Sequence, residues 1–316
     1  MSKRPAILIL KFLFAAALLV WLVRSDQLDL SVLKDDLTNP LHGLGLLLIL
    51  STLLPQSLRW QWLMKSQGIA QPLSRIVKWN WIGEFFALTL PGGAGTELSR
   101  GFYVYKNSPD SRAAALSTVV MDRLFGLFSL LFVGAFSALI IVSTRPISNN
   151  PMTWLAVILI LSFVAGLVCW GMIYLGAVRS FIVKVIPLKY SDHLETILEA
   201  YIKNSRPILY AFVLSVVNQL LILGLFFVSA LMLDIHLPWE VVFFVVPYVL
   251  VSNVIPLTPS GIGVGEVAAA YLFLQFDIPE GAAIMLIVRL WLIAFQLSGG
   301  LVFLFYQDKR PSPLAS

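Results

Sequence analysis

The residues able to do chemistry in this 316-residue chain are few, because 59% of it is hydrophobic and only 12% is charged. Within its apolar stretches stand Glu84, Glu97, Arg100, Asp122, Arg123, Glu266 and Arg289, with Asn218, Gln219, Asn253 and Gln296 as uncharged polar companions. An isolated Arg or Asp at the centre of a membrane helix costs about 2.5–3.5 kcal/mol, so such side chains face a partner or a cavity. Their spacing repeats: Arg123 follows Glu97 by 26 residues and Arg289 follows Glu266 by 23. Asp122 and Arg123 are chain neighbours, which point about 100° apart on a helix, so each is expected to pair elsewhere. Two readings stand. In one, Arg–Glu pairs brace the structure. In the other, Arg100, Arg123 and Arg289, helped by helix N-termini, bind an anionic group such as a lipid phosphate. Glu84, Glu97, Asp122 and Glu266 would then balance charge or carry protons. Arg59, five residues from the end of its apolar run, is expected to snorkel to an interface and to be structural.

Beside two of these carboxylates the chain carries glycine-rich breaks. The first reads Leu88-Thr89-Leu90-Pro91-Gly92-Gly93-Ala94-Gly95-Thr96-Glu97, the second Leu257-Thr258-Pro259-Ser260-Gly261-Ile262-Gly263-Val264-Gly265-Glu266. Each has a proline, glycines two and four residues later (Gly93 and Gly95, Gly261 and Gly263), then a glutamate. A broken helix exposes free N–H groups and the positive end of a dipole, a ready anion site. At membrane depth such backbone survives only when buried in protein or lining a wet cavity. Tight packing or a simple turn would account for one such cluster; two in matching places, each followed by a glutamate, favour a site built on both.

The elements that must position these residues follow from length, since about 20 apolar residues cross a bilayer. Six full spans are expected, at 6–24, 41–64, 113–143, 152–176, 207–233 and 280–306. The regions 76–106 and 240–276, broken in the middle, have legs too short to cross and are expected to be re-entrant hairpins. The fold class is thus an all-α polytopic membrane protein in two pseudo-repeat halves, 6–143 and 152–306. Three crossings per half invert the second relative to the first, the arrangement of transporters with a site at the midplane. Arg123 and Arg289 would both lie roughly 14–15 Å deep at 1.5 Å per residue, approached from opposite sides. With the N-terminus in the cytoplasm, sixteen of the 22 Lys and Arg fall in cytoplasmic segments. Arg24, Lys34 and Arg145 fall outside, and Arg59, Arg123 and Arg289 within spans, so the positive-inside rule puts both termini in the cytoplasm. Trp21, Trp60, Trp62, Trp79, Trp81, Trp154 and Trp239 are expected at the interfaces. The first run, after Lys3 and Arg4, is long enough to be a retained helix rather than a cleaved signal. The cytoplasmic linker 177–206 carries Leu194, Ile197, Leu198, Tyr201 and Ile202 on one helical face, with Asp192 and Glu195 spaced as a capping box. This predicts a short amphipathic helix lying on the membrane or packed on the bundle.

Composition excludes several classes. The three histidines, His42, His193 and His236, are scattered and the one cysteine, Cys169, lies in an apolar run, so neither a metal centre nor an internal disulfide is expected. No cofactor is implied. The net charge of +5 is spread along a membrane face, which argues for anionic lipid rather than nucleic acid. The motifs Pro91-Gly92-Gly93-Ala94-Gly95-Thr96-Glu97 with Arg100, Asp122-Arg123, and Pro259-Ser260-Gly261-Ile262-Gly263-Val264-Gly265-Glu266 resemble the flippase-like family that includes the transmembrane region of lysylphosphatidylglycerol synthases. The likeness spans nearly the whole chain. One mild departure is Asp122, where the family pattern most often has glutamate. The resemblance implies a module that moves polar-headed lipids between leaflets. Members with synthase activity carry a large aminoacyl-transferase domain after the membrane part, whereas this chain ends at Ser316. The expectation is a non-enzymatic flippase in a bacterial cytoplasmic membrane. Its substrate would be a phospholipid or a polyprenyl-phosphate-linked sugar, with proton or ion coupling open. Two other readings stay open: a membrane glycosyltransferase using the acidic pair Asp35-Asp36 in loop 25–40, and a non-transporting scaffold of a lipid-modifying complex.

Overall fold

A computed structural model describes residues 20, 39–88, 90, 92–144, 151–174, 197–203, 205–258 and 260–306. Among the described residues the chain is all-α. Helices α1 (Leu41–Ser51) and α2 (Leu53–Ser66) are nearly continuous, separated only at Thr52. Pro55 accounts for the interruption: it has no N–H and its ring crowds the carbonyl of Ser51 one turn earlier. Helices α3 (Leu73–Ala87) and α4 (Ala94–Lys106) flank the first glycine break. A 3-10 turn, Pro109–Ser111, leads into the long α5 (Arg112–Thr144), and α6 is Pro151–Tyr174. After a helical piece at 197–203 comes α7 (Ser205–Met232); α8 (Trp239–Val254) and α9 (Val264–Leu274) flank the second break, and α10 is Gly281–Phe305.

Among the described residues five segments are long and apolar enough to cross a bilayer: Leu41–Ser66, Pro109–Thr144, Met152–Met172, Arg206–Met232 and Gly281–Phe305. They coincide with five of the six expected spans; the sixth, 6–24, lies outside the described residues apart from Val20. The outer surface has the polarity of a lipid-facing one. Leu47, Leu161, Leu209, Leu301 and Leu304 are all exposed, whereas the interior holds Arg289, Glu266 and Asp122. Such an inversion of ordinary surface polarity is stable only where the solvent is hydrocarbon.

The helices beside each break pack as pairs, α3 on α4 and α8 on α9, and α4 continues onto α5 as α9 does onto α10. Between these groups the contacts are exchanged: α3 lies against α10, and α8 against α5. Both exchanges use small residues. A side chain on Gly299 of α10 would collide with the Trp81 carbonyl of α3, and one on Gly134 of α5 would meet Pro247 of α8 at 3.1 Å. Such small residues are what let membrane helices approach closely. Helices α2 and α7 run against one another between them. The main core gathers Phe226, Phe244, Val245, Phe273, Ile284 and Trp291.

The aromatic and linker residues refine two expectations, and for the linker the structure selects between its two alternatives. Trp60 and Trp79 do not face outward but are fully buried within the bundle, where each indole has an internal acceptor. Trp60 Nε1 donates to Thr118 Oγ1 at 2.9 Å and Trp79 Nε1 to the Tyr306 hydroxyl at 3.0 Å. Trp154 and Trp239 do remain exposed. Of the linker's helical face, residues 197–203 are helical and packed on the bundle rather than lying apart from it. Gln67 Nε2 donates to the Ile197 carbonyl at 3.0 Å, and Tyr201 is buried against Leu63, Phe125 and Ala211. Burial pushes the Tyr201 phenol up to about 12, so it stays neutral. The Asp192–Glu195 spacing lies outside the described residues, as does the acidic pair Asp35-Asp36.

Candidate functional site

The two breaks meet. A Cβ on Gly92, which has a φ of 63°, would lie 2.5 Å from the Val254 carbonyl oxygen and 3.6 Å from Pro256 Cα at the end of α8. Around this meeting point the structure gathers the charged candidate residues into three ion-paired groups, with Glu84 beside them, and the groups differ in how completely their polar atoms are satisfied.

The second break is closed on itself. Arg289, 2% exposed, holds Glu266 at 2.8 Å through Nε. Its Nη1 donates to the Ser260 carbonyl at 2.7 Å, and its Nη2 to Asn253 Oδ1 at 2.9 Å and to the Gly261 carbonyl at 3.2 Å. Each guanidinium nitrogen therefore has an oxygen. Glu266 is equally engaged, since its second oxygen accepts from the Gly263 N–H at 2.7 Å and caps the N-terminus of α9. No room is left at the glycines: side chains on Gly261 and Gly265 would overlap Asn253. Gly261 and Gly263 have φ of 73° and 85°, a left-handed backbone that glycine tolerates without cost. Nearby, Gln296 Nε2 reaches Ser260 Oγ at 3.3 Å.

The first break is more open. Arg123 Nη1 pairs with Glu97 Oε1, yet the two side chains remain 36% and 29% exposed. Among the described residues no other nitrogen of Arg123 has a protein acceptor, and Glu97 Oε2 is buried without a partner. No side chain caps α4, so its first N–H groups point at the break. Gly93, with φ of 73°, has nothing within 4 Å of its Cβ position, whereas a side chain on Gly95 would overlap the Phe86 carbonyl where α3 and α4 converge. Glu84 on α3 has Arg100 and Glu97 as its charged neighbours.

Beneath this pair lies a third cluster. Asp122, 1% exposed, receives Arg59 Nε at 2.5 Å and Arg59 Nη2 at 2.8 Å, with Arg100 Nη2 at 2.8 Å. Arg100 stacks over the Trp60 ring at 4.2 Å, and its buried Nε has no acceptor. Arg59 does not snorkel; it is 6% exposed and binds Ser215 Oγ at 3.2 Å as well. Its distance from a helix end says nothing of the carboxylate that holds it, and the usable signal was its presence inside an apolar span. Ser215, Asn218 and Gln219 share one face of α7 at offsets 0, 3 and 4. Gln219 Nε2 donates to the Gly126 carbonyl at 3.1 Å, while Asn218 Oδ1 and Gln219 Oε1 are buried and unpartnered. Two guanidiniums thus share one carboxylate, with Glu84 the next acidic neighbour of Arg100. Asp122 and Arg123 do pair with different partners, as their 100° separation requires. Among the described residues no group of His, Cys, Asp and Glu could hold a metal ion.

Buried ion pairs, broken helices that meet and an apolar exterior together define an integral membrane protein with a polar interior. The chain belongs to the family described as the lysylphosphatidylglycerol synthase TM region, which it matches over residues 8–300. It is also 26% identical over 312 residues to a UPF0104 membrane protein of Methanocaldococcus jannaschii, covering 92% of this chain and 90% of that protein. No solved structure matches it.

Proposed function

We propose that this protein moves an anionic, polar-headed membrane lipid, a phospholipid or a polyprenyl-phosphate-linked sugar, between leaflets, and that it is not an enzyme. In this reading the chain is an inverted pseudo-repeat with halves 6–143 and 152–306. The breaks are the tips of re-entrant hairpins entering from opposite sides, and both termini lie in the cytoplasm. The exchanged packing of α3 on α10 and α8 on α5 supports the repeat, since a two-fold relation turns one contact into the other. The single observation that carries the function is the contrast between the two matched arginines. Arg289 is sealed with each nitrogen satisfied, whereas Arg123 is half-open with donors to offer. A headgroup phosphate would bind Arg123 and the uncapped start of α4 at Gly93, with Arg100 as reserve charge. Glu97 and Glu84 would balance that charge or exchange a proton as the anion comes and goes. Arg289, Glu266, Gly261 and Gly263 would hold the second tip against which the first works, and Gly95 the close approach of α3 and α4.

The test is lipid scrambling by the purified chain in liposomes. Wild type should transfer fluorescent anionic lipid between leaflets, and Arg123→Gln should slow transfer at least tenfold while retaining the wild-type thermal midpoint. Scrambling at wild-type rate by Arg123→Gln would overturn the assignment.

A further inference from the structure

Arg123 does not stand alone on its helix. Val120, Arg123, Leu124 and Leu127 have offsets 0, 3, 4 and 7 and share one face of α5. Val120 is 60% exposed and Leu124 50%. Arginine in the middle of a lipid-facing apolar stripe is costly unless something polar meets it, and Glu97 meets only one of its nitrogens. One turn along the same stripe the helix surface becomes a wall. Leu124 and Leu127 line a half-open cavity of about 570 Å³ bordered by α5, α6, the start of α7 and residues 197–203, with Trp170, Ile208 and Phe212 among its other walls. The lining is almost wholly apolar, and the volume falls in the range of pockets that take small organic ligands, roughly 300–1,000 Å³. Its floor is held in place: the Ile197 carbonyl is bonded to Gln67, and the Tyr201 hydroxyl lies 3.4 Å from Ser117 Oγ, while Leu198 and Ile202 turn into the space.

We infer that this cavity is the binding site for one hydrocarbon chain of a membrane lipid whose phosphate is held by Arg123. The inference rests on the transport reading for the role of Arg123 and adds where the rest of the substrate goes. Residues three and four apart on a helix have Cβ atoms about 5–6 Å from each other, so Arg123 is a near neighbour of the lining residue Leu127, with its guanidinium directed to Glu97 beside the cavity. A molecule with an anionic end and a long apolar tail fits both at once. A free inorganic anion would satisfy only Arg123, and an uncharged hydrocarbon would satisfy only the cavity. The charge therefore selects the lipid and the cavity fixes its orientation.

A long-chain alkyl phosphate with a diazirine at the chain terminus tests this on the purified full-length protein in nanodiscs of neutral lipid, with the matching alkyl alcohol as control. After irradiation, mass spectrometry should find the label on cavity peptides of α5, α6 and α7. Labelling by the phosphate probe should exceed that by the alcohol several-fold. Unlabelled alkyl phosphate should reduce it about tenfold and inorganic phosphate should not. Cys169→Trp fills the cavity without touching an ion pair and should abolish cavity labelling; Ile208→Trp serves as a second filling variant if the first does not fold. Arg123→Gln should bring the two probes to equal yield. Label spread evenly over the lipid-exposed helices, or unchanged in both filling variants, would overturn the cavity assignment. Equal yields from both probes in the wild type would overturn the pairing with phosphate. The scrambling assay separates this from the transport reading. Arg123-dependent labelling with undiminished scrambling by Arg123→Gln sinks transport and leaves the site. Lost scrambling without cavity label sinks the site and leaves transport.

Discussion

At Arg289 each donor nitrogen already faces an oxygen, so removing the side chain strands Glu266 as an unpaired charge in the interior. Breaking a buried pair in this way costs about 3–5 kcal/mol. Arg289→Met should therefore lower the thermal midpoint sharply in detergent, and Arg289→Met combined with Glu266→Leu should recover much of that loss. Failure of the double variant to recover would mean that the bonds to Asn253, Ser260 and Gly261 matter more than the ion pair itself. Arg123 belongs to the other regime. Its pair with Glu97 is about a third exposed on both sides, and such pairs contribute about 0–1 kcal/mol. Arg123→Gln should leave stability nearly unchanged and act on transport instead. The Asp122 cluster behaves like Arg289: Asp122→Asn would leave Arg59 and Arg100 facing one another, and a substantial loss of folded yield is expected.

At the scale of elements, the glycines divide by what surrounds them. Gly95 and Gly299 sit where one helix meets the backbone of another, against the Phe86 and Trp81 carbonyls. Gly95→Ala and Gly299→Ala must each push two helices apart, and overpacking of this kind costs about 1–3 kcal/mol. Gly93 has open space around it but a left-handed backbone, so Gly93→Ala should cost only the conformational penalty of about 1–2 kcal/mol. Thermal midpoints of the three variants should rank Gly93→Ala nearest to wild type. If Gly93→Ala were the most damaging, the space beside the first break would have to be filled in the working protein.

For the whole molecule, the proposed topology predicts sidedness. Asp110, ahead of α5, and Glu280, ahead of α10, are both exposed and would lie on opposite faces of the membrane. In a Cys169→Ser background, Asp110→Cys should react with a membrane-impermeant maleimide only in inside-out vesicles, and Glu280→Cys only in right-side-out ones. Reaction of both from the same side would remove the inversion and with it the case for alternating access. Much of the architecture was legible in the order of residues, because hydropathy and length are local properties. The runs at 41–64, 113–143, 152–176, 207–233 and 280–306 announce their helices, and proline with glycine announces both breaks. Matched spacing of Glu97 to Arg123 and of Glu266 to Arg289 showed as a repeat, but that each glutamate pairs with its following arginine came from the structure. Burial was not legible. The exposure of an arginine depends on which distant side chains close over it, and nothing near Arg59 in sequence names Asp122, 63 residues away. For the same reason nothing near Trp60 and Trp79 in sequence shows that they turn inward, to Thr118 and Tyr306. By itself, then, the chain's order of residues determined an all-α membrane protein with two breaks and a small set of interior charges. Only the tertiary structure decided which of those charges is sealed and which is open, since the satisfaction of a donor is a property of the packed interior and not of the segment that carries it.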